Sequence, residues 1–366
     1  MKYEYYNIMD LVNKYPECIY YIVVGKRGNG KTFSTLRKII DDYFEKNLPS
    51  FYIRRTEEQL KTTRGIDKIF RPHYDYIREK SGGKYDSVVF YRGCFYLSKY
   101  DENKDKYVRS SKLFCFTAGV NTGENRKGAD VGKVANIVLD EFMTFTGLPI
   151  LDEFEKFTNL LATIIRNHEP PKIFLLGNPL ERMGNVYTEN FGIDVPKIKQ
   201  GTITQYKYDG GATAVYEFCS DTNIPSVANS KVFSVGINSE NITRGKWRVP
   251  KAPKLTNKIE RDCNEIFDFY ITDYDLNYCH AFILMLPNGR PLLKIAKTDD
   301  KEKAIKNLHF TTVTTTEKNG FNTLSIFPKL ENVVKSAIRE KSVYYSDDFT
   351  FEFFSNWIRS LYQLKR

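Results

Sequence analysis

The sequence predicts an α/β fold, in which a mainly parallel sheet carries helices on both faces and is followed by a smaller α+β domain. Apolar strand-like runs alternate with helix-like segments through the first half of the chain. A length of 366 residues suits two domains better than one core. A Gly-, Ser- and Asn-rich stretch that becomes strongly basic separates the two halves. We therefore predict a first domain over residues 1–208, a basic linker over 209–258 and a second domain over 259–366.

The first domain should begin with a strand, a glycine-rich loop and a helix. Residues 19–24 are β-branched and aromatic, and residues 32–47 have helical composition. Apolar residues at three- and four-residue spacings predict an amphipathic helix over 151–167. Further strands are predicted at residues 51–54, 88–91, 94–97, 112–117, 137–140 and 173–176.

The second domain should be a short-stranded unit that ends in two helices. A Pro-Asn-Gly signal at 287–289 predicts a hairpin turn. The expected elements are strands at 266–272, 281–286 and 291–296 and helices at 329–341 and 351–364.

The composition favours a polyanionic partner. Lys and Arg number 55 against 45 Asp and Glu, a formal charge of +10, so nucleic acid is the first candidate and a solvated basic surface is the alternative. Six cysteines without a C-x-x-C pair indicate buried free thiols in a reducing compartment. Four scattered histidines lack zinc spacing, and we expect each at the surface or in a turn. No apolar run approaches the roughly 20 residues that span a bilayer, so we expect a cytosolic protein.

The glycine-rich loop has the form G-x-x-x-x-G-K-[ST], which is the phosphate-binding P-loop when it lies between a strand and a helix. Backbone N–H groups and the helix dipole would hold the phosphates of ATP. Lys31 would add a positive charge, and the Thr32 hydroxyl would ligate Mg²⁺. An ordinary Gly-rich turn is the alternative. The expected nucleotide contacts in this loop are Gly25, Lys26, Arg27, Gly28, Asn29, Gly30, Lys31 and Thr32.

An apolar strand at residues 136–141 ends in two adjacent carboxylates. Asp140 is predicted to hold Mg²⁺, and Glu141 to polarise the attacking water as a general base. A hydrolytic glutamate next to the magnesium acid is typical of P-loop NTPases of the ASCE type and favours hydrolysis over phosphoryl transfer to a substrate hydroxyl. The alternative is a pair of acids that only caps a strand.

Two polar residues further along the chain could touch the nucleotide. Asn178 follows a buried strand, where it would sense the γ-phosphate, although an Asn before Pro is also common in turns. Arg166 ends the preceding helix, where it is either a C-terminal helix cation or an arginine finger for a neighbouring subunit. The residues alone favour the helix cation.

Three basic segments are candidates for contact with other molecules. A glycine-rich loop over 119–132 carries Arg126 and Lys127 and could reach across a subunit interface. Arg54 and Arg55, followed by Lys61 and Arg64, form either a solvated helix face or a DNA-gripping loop. Residues 243–258 carry six cations and no acid, with Trp247 as a stacking surface, and form either a nucleic-acid contact or a solvated linker. Lys246, Arg248 and Lys251 are the predicted nucleic-acid contacts there.

Taken in order, these features resemble the DNA-packaging ATPases of small podoviruses, the reduced relatives of large terminases. An Arg inside the P-loop, a double Arg after the second strand and an Arg-Asn at the helix end are the specific elements, and the resemblance spans residues 20–179. The matching segments are YYIVVGKRGNGKT, FYIRRTEEQL, NRKGADVGKVANIVLDEF, ATIIRNHEPPK and KIFLLGNP.

The resemblance implies a homopentameric ring, docked on the portal vertex of a procapsid in the host cytoplasm, which uses ATP and Mg²⁺ to drive double-stranded DNA inward. It also implies that Arg166 and Lys127 act on a neighbour's ATP, with Arg126 as the substitute for Lys127 because the glycine-rich loop leaves the alignment open by one residue. The use of a packaging RNA stays open.

The family's second domain is similar to RNase H-type nucleases that have lost their metal-binding acids in the small podoviruses. Here Asp268 is the only acid on a predicted strand, since Asp273 and Asp275 fall in a turn and Asp347 and Asp348 precede the last helix. A two-metal nuclease needs convergent carboxylates. We therefore predict a nuclease-inactive domain that binds procapsid, portal, DNA or packaging RNA. The alternatives are a complete terminase with an active nuclease and a P-loop helicase or DNA-remodelling ATPase without a capsid role.

Overall fold

The computed structural model of the chain describes residues 5–122, 131–143, 150, 152–180, 185–220, 252–272, 277–311, 317–322, 324–340 and 342–363. The chain divides into two units, Met1–Arg248 and Val249–Arg366. The predicted loop cations Arg126 and Lys127, and the predicted contacts Lys246, Arg248 and Lys251, lie outside the described residues.

The first unit is built on one large sheet. Its strands are β1 (Tyr20–Val24), β2 (Ser50–Arg54), β3 (Ser87–Tyr91), β4 (Cys94–Asp101), β5 (Lys106–Arg109), β6 (Cys115–Gly119), β7 (Asn136–Asp140), β8 (Lys172–Gly177), β9 (Ile203–Lys207) and β10 (Thr213–Phe218). Its helices are α1 (Ile8–Lys14), α2 (Lys31–Lys46), α3 (Tyr74–Lys80), α4 (Glu153–Ile165) and α5 (Val186–Asn190), and short 3-10 turns join β2 to α3.

The centre of this sheet is parallel, as predicted. In the described residues the strand order is β3-β4-β6-β2-β7-β8-β1-β10-β9, with β5 beside β4. Neighbouring strands in the central stretch β6-β2-β7-β8-β1-β10 pair in parallel, while β3, β4, β5 and β9 pair antiparallel. The strand β8 lies between β1 and β7, so one strand separates the P-loop strand from the acidic strand. This is the strand arrangement of the ASCE type.

Alternation along β1 explains why helices cover both faces. Successive side chains of a strand point to opposite sides. Tyr21 and Val23 pack in one apolar cluster with α1 and α2, whereas Ile22 and Val24 pack in a second cluster with α4. All four of these side chains are buried, so the predicted helices on both faces are confirmed.

The first domain extends beyond the predicted boundary at residue 208. The strand β10, which falls inside the predicted linker, pairs in parallel with β1 and antiparallel with β9. The glycines at 210 and 211 form the turn between β9 and β10, with Gly211 at a φ of 82°. A glycine pair in a hairpin turn and one in a linker have the same local composition, and for that reason the boundary was wrong.

The second unit begins before residue 259, since Ala252 is already buried in its core. Its helices are α6 (Asn257–Asp262), α7 (Lys301–Lys306), α8 (Pro328–Arg339) and α9 (Asp348–Gln363). Its strands are β11 (Asn264–Thr272), β12 (Tyr278–Met285), β13 (Pro291–Thr298), β14 (His309–Thr311), β15 (Gly320–Phe321) and β16 (Val343–Tyr345).

The sheet of the second unit mixes both strand directions. In the described residues its order is β15-β14-β11-β12-β13-β16, with antiparallel pairs at the centre and parallel pairs outside. The predicted hairpin between β12 and β13 is confirmed, because the Leu286 N–H donates to the Arg290 carbonyl at 3.0 Å. Side chains of α8 and α9, including Trp357, pack on one face. The unit is the expected smaller α+β domain.

Candidate functional site

The P-loop occupies the turn between β1 and α2, where the sequence placed it. Gly30 has a φ of 102°, a backbone conformation that a side chain would strain. At Gly25, a Cβ would lie 2.7 Å from Asn29 Nδ2 and 2.8 Å from Cys219 Sγ, so glycine is required there for close packing. The loop leads directly into the N-terminus of a 16-residue helix. The N-terminus of a helix is a favourable site for anions.

Lys31 is held at the centre of the loop by oxygen acceptors. Its Nζ donates to the carbonyls of Gly25 and Lys26 at 2.8 and 3.0 Å, and to Asn29 Oδ1 at 3.1 Å. Asn178 Oδ1, at the end of β8, lies 3.4 Å away. Burial lowers the pKa of Lys31 to about 8. A phosphate anion at this point would favour the charged ammonium.

Thr32 and Asp140 are brought together although 108 residues separate them. The Thr32 hydroxyl donates to Asp140 Oδ1 at 3.1 Å, and the buried Tyr52 hydroxyl donates to Asp140 Oδ2 at 2.7 Å. Burial, followed by the charge of Asp140, holds the pKa of Tyr52 well above its ordinary value, so Tyr52 stays a neutral donor. A hydroxyl and a carboxylate are oxygen donors that suit Mg²⁺, with water completing its coordination.

Glu141 lies beside this pair and is held by Arg54. Its backbone has a φ of 59°, and its side chain is 50% exposed. Arg54 contacts Glu141 Oε2 at 2.5 Å and Asp140 Oδ2 at 3.2 Å, and its Nε donates to the Tyr52 hydroxyl at 3.0 Å. Arg54 is therefore neither a solvated cation nor a free DNA-gripping one, because it neutralises the two predicted catalytic acids.

A cavity of about 570 Å³ joins these groups. Its lining includes the P-loop from Arg27 to Thr32, both acids and Asn178, so residues predicted from three separate segments face one space. This volume is typical of small-molecule sites. Two further lining residues, Tyr5 and Phe33, were not predicted from the sequence.

Tyr5 reaches the cavity because the chain around it is pinned to the P-loop. The Tyr6 N–H donates to the Asn29 carbonyl at 2.9 Å, and the Tyr6 hydroxyl donates to Glu217 Oε2 at 2.8 Å. The Ile8 N–H donates to Ser34 Oγ at 3.1 Å. The Tyr5 side chain itself is 53% exposed. Its ring therefore lines the cavity on a segment that is held by hydrogen bonds to the P-loop and to α2.

Phe33 stacks on His73, with ring centroids 4.2 Å apart. His73 is buried, and neither ring nitrogen has a hydrogen-bond partner among the described residues. Burial, together with the charge of Arg37, lowers the pKa of His73 to about 4. His309 is buried in β14, so the expectation of a surface or turn position was wrong for that residue, whereas the buried His73 lies in a 3-10 turn. The Phe33 ring is an apolar stacking partner for the neutral imidazole of His73. The sequence pattern did not reveal this contact.

Arg55 is also a structural residue. Its Nε and one terminal nitrogen donate to the two carboxylate oxygens of Glu153 at 2.7 and 2.5 Å, and the Tyr187 hydroxyl donates to Glu153 Oε1 at 3.0 Å. Both partners of this ion pair are buried. The pair ties the end of β2 to the start of α4, so Arg55 is not a DNA-gripping cation.

The remaining predicted cations of this segment lie on the surface. Lys61 and Arg64 have exposed side chains on the 3-10 turns after β2, and both approach the carboxylate of Glu58. Arg166 ends α4 with a φ of 43°, and its exposed guanidinium makes no hydrogen bond or ion pair with any residue that the structure describes. Arg166 does not line the cavity of its own chain.

The acids of the second unit have other partners. Asp268 Oδ2 lies 2.6 Å from His280 Nε2. Asp347 accepts a hydrogen bond from the Thr350 N–H at 2.8 Å, and Asp348 accepts one from the Ala252 N–H at 3.0 Å. Asp273 and Asp275 lie outside the described residues. Within the described ranges, no group of three or more His, Cys, Asp or Glu side chains is placed to hold a metal ion.

The strand order and the P-loop, with the acid pair beside it, define the fold as a P-loop NTPase fold of the ASCE type. A solved structure of the Phi-28 gp11 DNA packaging motor is similar over 98% of this chain and 98% of that chain, with 17% identity and a TM-score of 0.50. A structure of the bacteriophage Phi-29 viral genome packaging motor assembly matches over 98% and 99% of the two chains, with 17% identity and a TM-score of 0.54. The chain thus shares the fold of these phage motor proteins over 98% of its length.

No protein-family model and no curated protein sequence matches this chain. Among the helices of the described residues, none has the length and apolar composition needed to cross a membrane.

Proposed function

We propose that this chain is an ATPase subunit of a ring-shaped motor that drives double-stranded viral DNA into a procapsid. The observation that carries the proposal is the convergence of Lys31, Thr32, Asp140 and Glu141 on one cavity, in a chain that shares its whole fold with phage packaging motors. P-loop NTPases use this set of groups to hydrolyse the terminal phosphate of a nucleotide.

In the proposed reaction, backbone N–H groups of the P-loop and the ammonium of Lys31 hold the β- and γ-phosphates of ATP. Thr32 and Asp140 hold Mg²⁺, which neutralises charge on the phosphate oxygens when it is bound. Glu141 polarises the attacking water. Asn178 detects the terminal phosphate, a role supported by the 3.4 Å between its amide oxygen and Lys31 Nζ.

Glu141 must leave Arg54 before it can act as a base. The Arg54 guanidinium is mostly buried and also contacts Asp140, whereas the Glu141 carboxylate is half-exposed. Glu141 can exchange Arg54 for water because its carboxylate is half-exposed, and the remaining contact with Asp140 keeps the charge of the mostly buried Arg54 paired.

Assembly into a ring, with five subunits as the preferred number, would complete the site. Arg166 has an exposed guanidinium with no partner in the described part of its own chain, as a residue that reaches a neighbour's nucleotide requires. Lys127, or Arg126 in its place, is the second proposed trans cation. The ring would dock on the procapsid portal in the host cytoplasm, with a packaging RNA as a further partner.

For the second unit we propose a binding role without nuclease activity. Asp268 forms a pair with His280 instead of facing another carboxylate, and Asp347 and Asp348 receive backbone hydrogen bonds. A complete terminase would instead cleave DNA with Mg²⁺ or Mn²⁺, and Asp268→Ala would abolish that cleavage. A helicase would separate the strands of a forked duplex.

The deciding experiment combines the purified chain with procapsids that carry the cognate portal, duplex DNA and ATP. We expect DNA to become protected from added nuclease only when ATP is hydrolysed, and we expect Lys31→Ala to abolish protection. Strand separation without protection would favour a helicase, and metal-dependent cuts in the duplex would favour a complete terminase.

A further inference from the structure

The antiparallel ribbon of β3, β4 and β5 carries a row of tyrosines on its outer face. Phe95 and Leu97 of β4 are buried in the core, so Tyr96 and Tyr100 lie on the opposite face of the sheet, where the intervening Ser98 is also buried. Tyr100 on β4 lies directly opposite Tyr107 on β5, and Ser98 lies opposite Arg109. We define the tyrosine face as Tyr91, Tyr96, Tyr100, Tyr107 and Arg109.

The rings of the tyrosine face form two groups, one of which lies around the Arg109 guanidinium. The Arg109 guanidinium lies 4.6 Å from the ring centre of Tyr91 and 4.9 Å from that of Tyr96. Tyr100 and Tyr107 meet edge to face, with ring centres 5.2 Å apart. Tyr96 and Tyr100 are four residues apart on one strand, which separates the two groups by roughly 13 Å. Each ring thus contacts another member of the tyrosine face.

Much of this aromatic surface remains exposed. Tyr91 is 41% exposed, Tyr100 is 39% exposed and Tyr107 is 53% exposed. Arg92, in the hairpin turn, lies 5.2 Å from the ring of Tyr91. Within the described residues, neither Arg92 nor Arg109 forms an ion pair. The face therefore offers flat apolar rings beside the guanidiniums of Arg92 and Arg109, and the Tyr100 hydroxyl at its other end donates to the carboxylate of Asp105.

We propose that the tyrosine face binds unpaired nucleotides of an RNA. Bases stack on exposed tyrosines, and Arg92 and Arg109 contact the phosphates. Aromatic side chains on an exposed sheet surface bind single-stranded RNA in this way. Double-stranded DNA, the cargo under the proposed function, keeps its bases stacked inside the duplex, so RNA is the source of the free bases. The assignment of RNA rests on the proposed function in that respect.

The first test measures binding of the full-length protein to a short, unstructured, fluorescently labelled RNA by anisotropy. We expect Tyr91→Ala and Tyr107→Ala each to weaken binding about 5- to 150-fold, the range for loss of one base-stacking ring. Tyr107→Phe keeps the ring and should bind as the parent does. Val108→Ala is the matched control, because Val108 is also exposed but lies on the opposite face of β5.

A second comparison separates the face from general charge. Arg109→Gln and Lys106→Gln each remove one positive charge from β5, but only Arg109 belongs to the tyrosine face. A lost phosphate contact on a single strand should flatten the plot of log binding constant against log salt by roughly 0.7. We expect this change for Arg109→Gln and a smaller one for Lys106→Gln.

Unchanged RNA affinity in a folded Tyr91→Ala, Tyr107→Ala variant would overturn the proposal. Equal losses with single-stranded DNA and RNA would overturn the assignment to RNA. Ultraviolet crosslinking of RNA to the unmodified protein provides a measure that does not depend on variants, and crosslinks that avoid the tyrosine face would also overturn it. ATP hydrolysis should be unaffected in every variant, so a failure here is distinguishable from a failure of the proposed ATPase.

Discussion

Replacing Glu141 with Gln tests the catalytic base while leaving the fold intact. The substitution conserves size and removes one negative charge. It disturbs the contact between Glu141 and Arg54, but Glu141 is half-exposed and Arg54 keeps its contact with Asp140 at 3.2 Å. Because the buried Arg54 charge keeps Asp140 as its partner, the stability lost should be well below the roughly 3–5 kcal/mol that follows when a buried charge is left without a partner. The backbone φ of 59° is as acceptable to Gln as to Glu, so no new strain arises.

The expected loss is in turnover. A positioned general base contributes about 10²- to 10⁴-fold to a rate, so kcat for ATP hydrolysis should fall by that factor while nucleotide affinity is kept. Phosphate release reports kcat, and titration with a fluorescent ATP analogue reports affinity. Glu155→Gln is the matched control, since Glu155 is an exposed acid on α4 that does not line the cavity.

Two results would refute this reasoning. Hydrolysis at the parent rate by Glu141→Gln would place the base elsewhere. A loss of turnover accompanied by an equal loss of nucleotide affinity would give Glu141 a structural role in place of a catalytic one.

Four further predictions concern the nucleotide, the subunit interface and the linker. Nucleotide affinity should be full below pH 8 and fall by up to tenfold per pH unit above it. The reason is that Lys31 has a pKa of about 8 in the free protein and that bound phosphate raises this pKa. Isothermal titration calorimetry across pH 7 to 9 checks this. Tyr5→Ala should weaken ATP binding about two- to tenfold, the range for loss of one aromatic stacking contact, while Tyr5→Phe should not. Arg166→Ala should bind ATP with little hydrolysis, and mixing it with Glu141→Gln subunits should restore activity at mixed interfaces. Replacing three linker cations with Gln should flatten the salt dependence of duplex DNA or RNA binding by roughly one unit for each lost contact; these are Lys246, Arg248 and Lys251.

Each of these predictions has a contrary outcome. A flat pH profile for affinity would mean that Lys31 does not contact the phosphates, and equal affinity for Tyr5→Ala would mean that Tyr5 does not contact the nucleotide. If both variants assemble but their mixed rings recover no ATP hydrolysis, Arg166 is a helix-capping residue and does not act on a neighbour's nucleotide. The linker variant could instead hydrolyse ATP and bind nucleic acid with an unchanged salt dependence. That result would indicate that the linker is a hinge and that Lys61 and Arg64 contact DNA in its place.

The P-loop and the acidic strand could be predicted from the sequence because each is contiguous. The P-loop needs a buried strand, two glycines, Lys31 and Thr32 in a fixed local order, and the chain contains all of them. Asp140 and Glu141 follow an apolar strand directly. Periodicity likewise located α4, because one face of a helix packs against the sheet and leaves a repeating apolar pattern.

The partners of these residues could not be predicted, because they come from distant parts of the chain. Tyr52 and Asp140 are 88 residues apart, and Arg55 and Glu153 are 98 residues apart. Neither pair has a local pattern that distinguishes it from exposed polar residues. The cations Arg54 and Arg55 look alike in the sequence, yet one neutralises the two predicted catalytic acids and the other closes a buried ion pair with α4.

By itself, then, the sequence determined the chemistry that short-range order specifies: the phosphate loop, the adjacent carboxylates, the α/β alternation and a second smaller domain. Only the tertiary structure decided that β8 lies between β1 and β7, that β10 completes the first sheet and that Tyr5 reaches the cavity. The physical reason is that strand neighbours are selected by burial and hydrogen bonding across the whole domain. The hydrogen bond from Tyr6 to Glu217, which helps to hold Tyr5 at the P-loop, joins residues 211 positions apart.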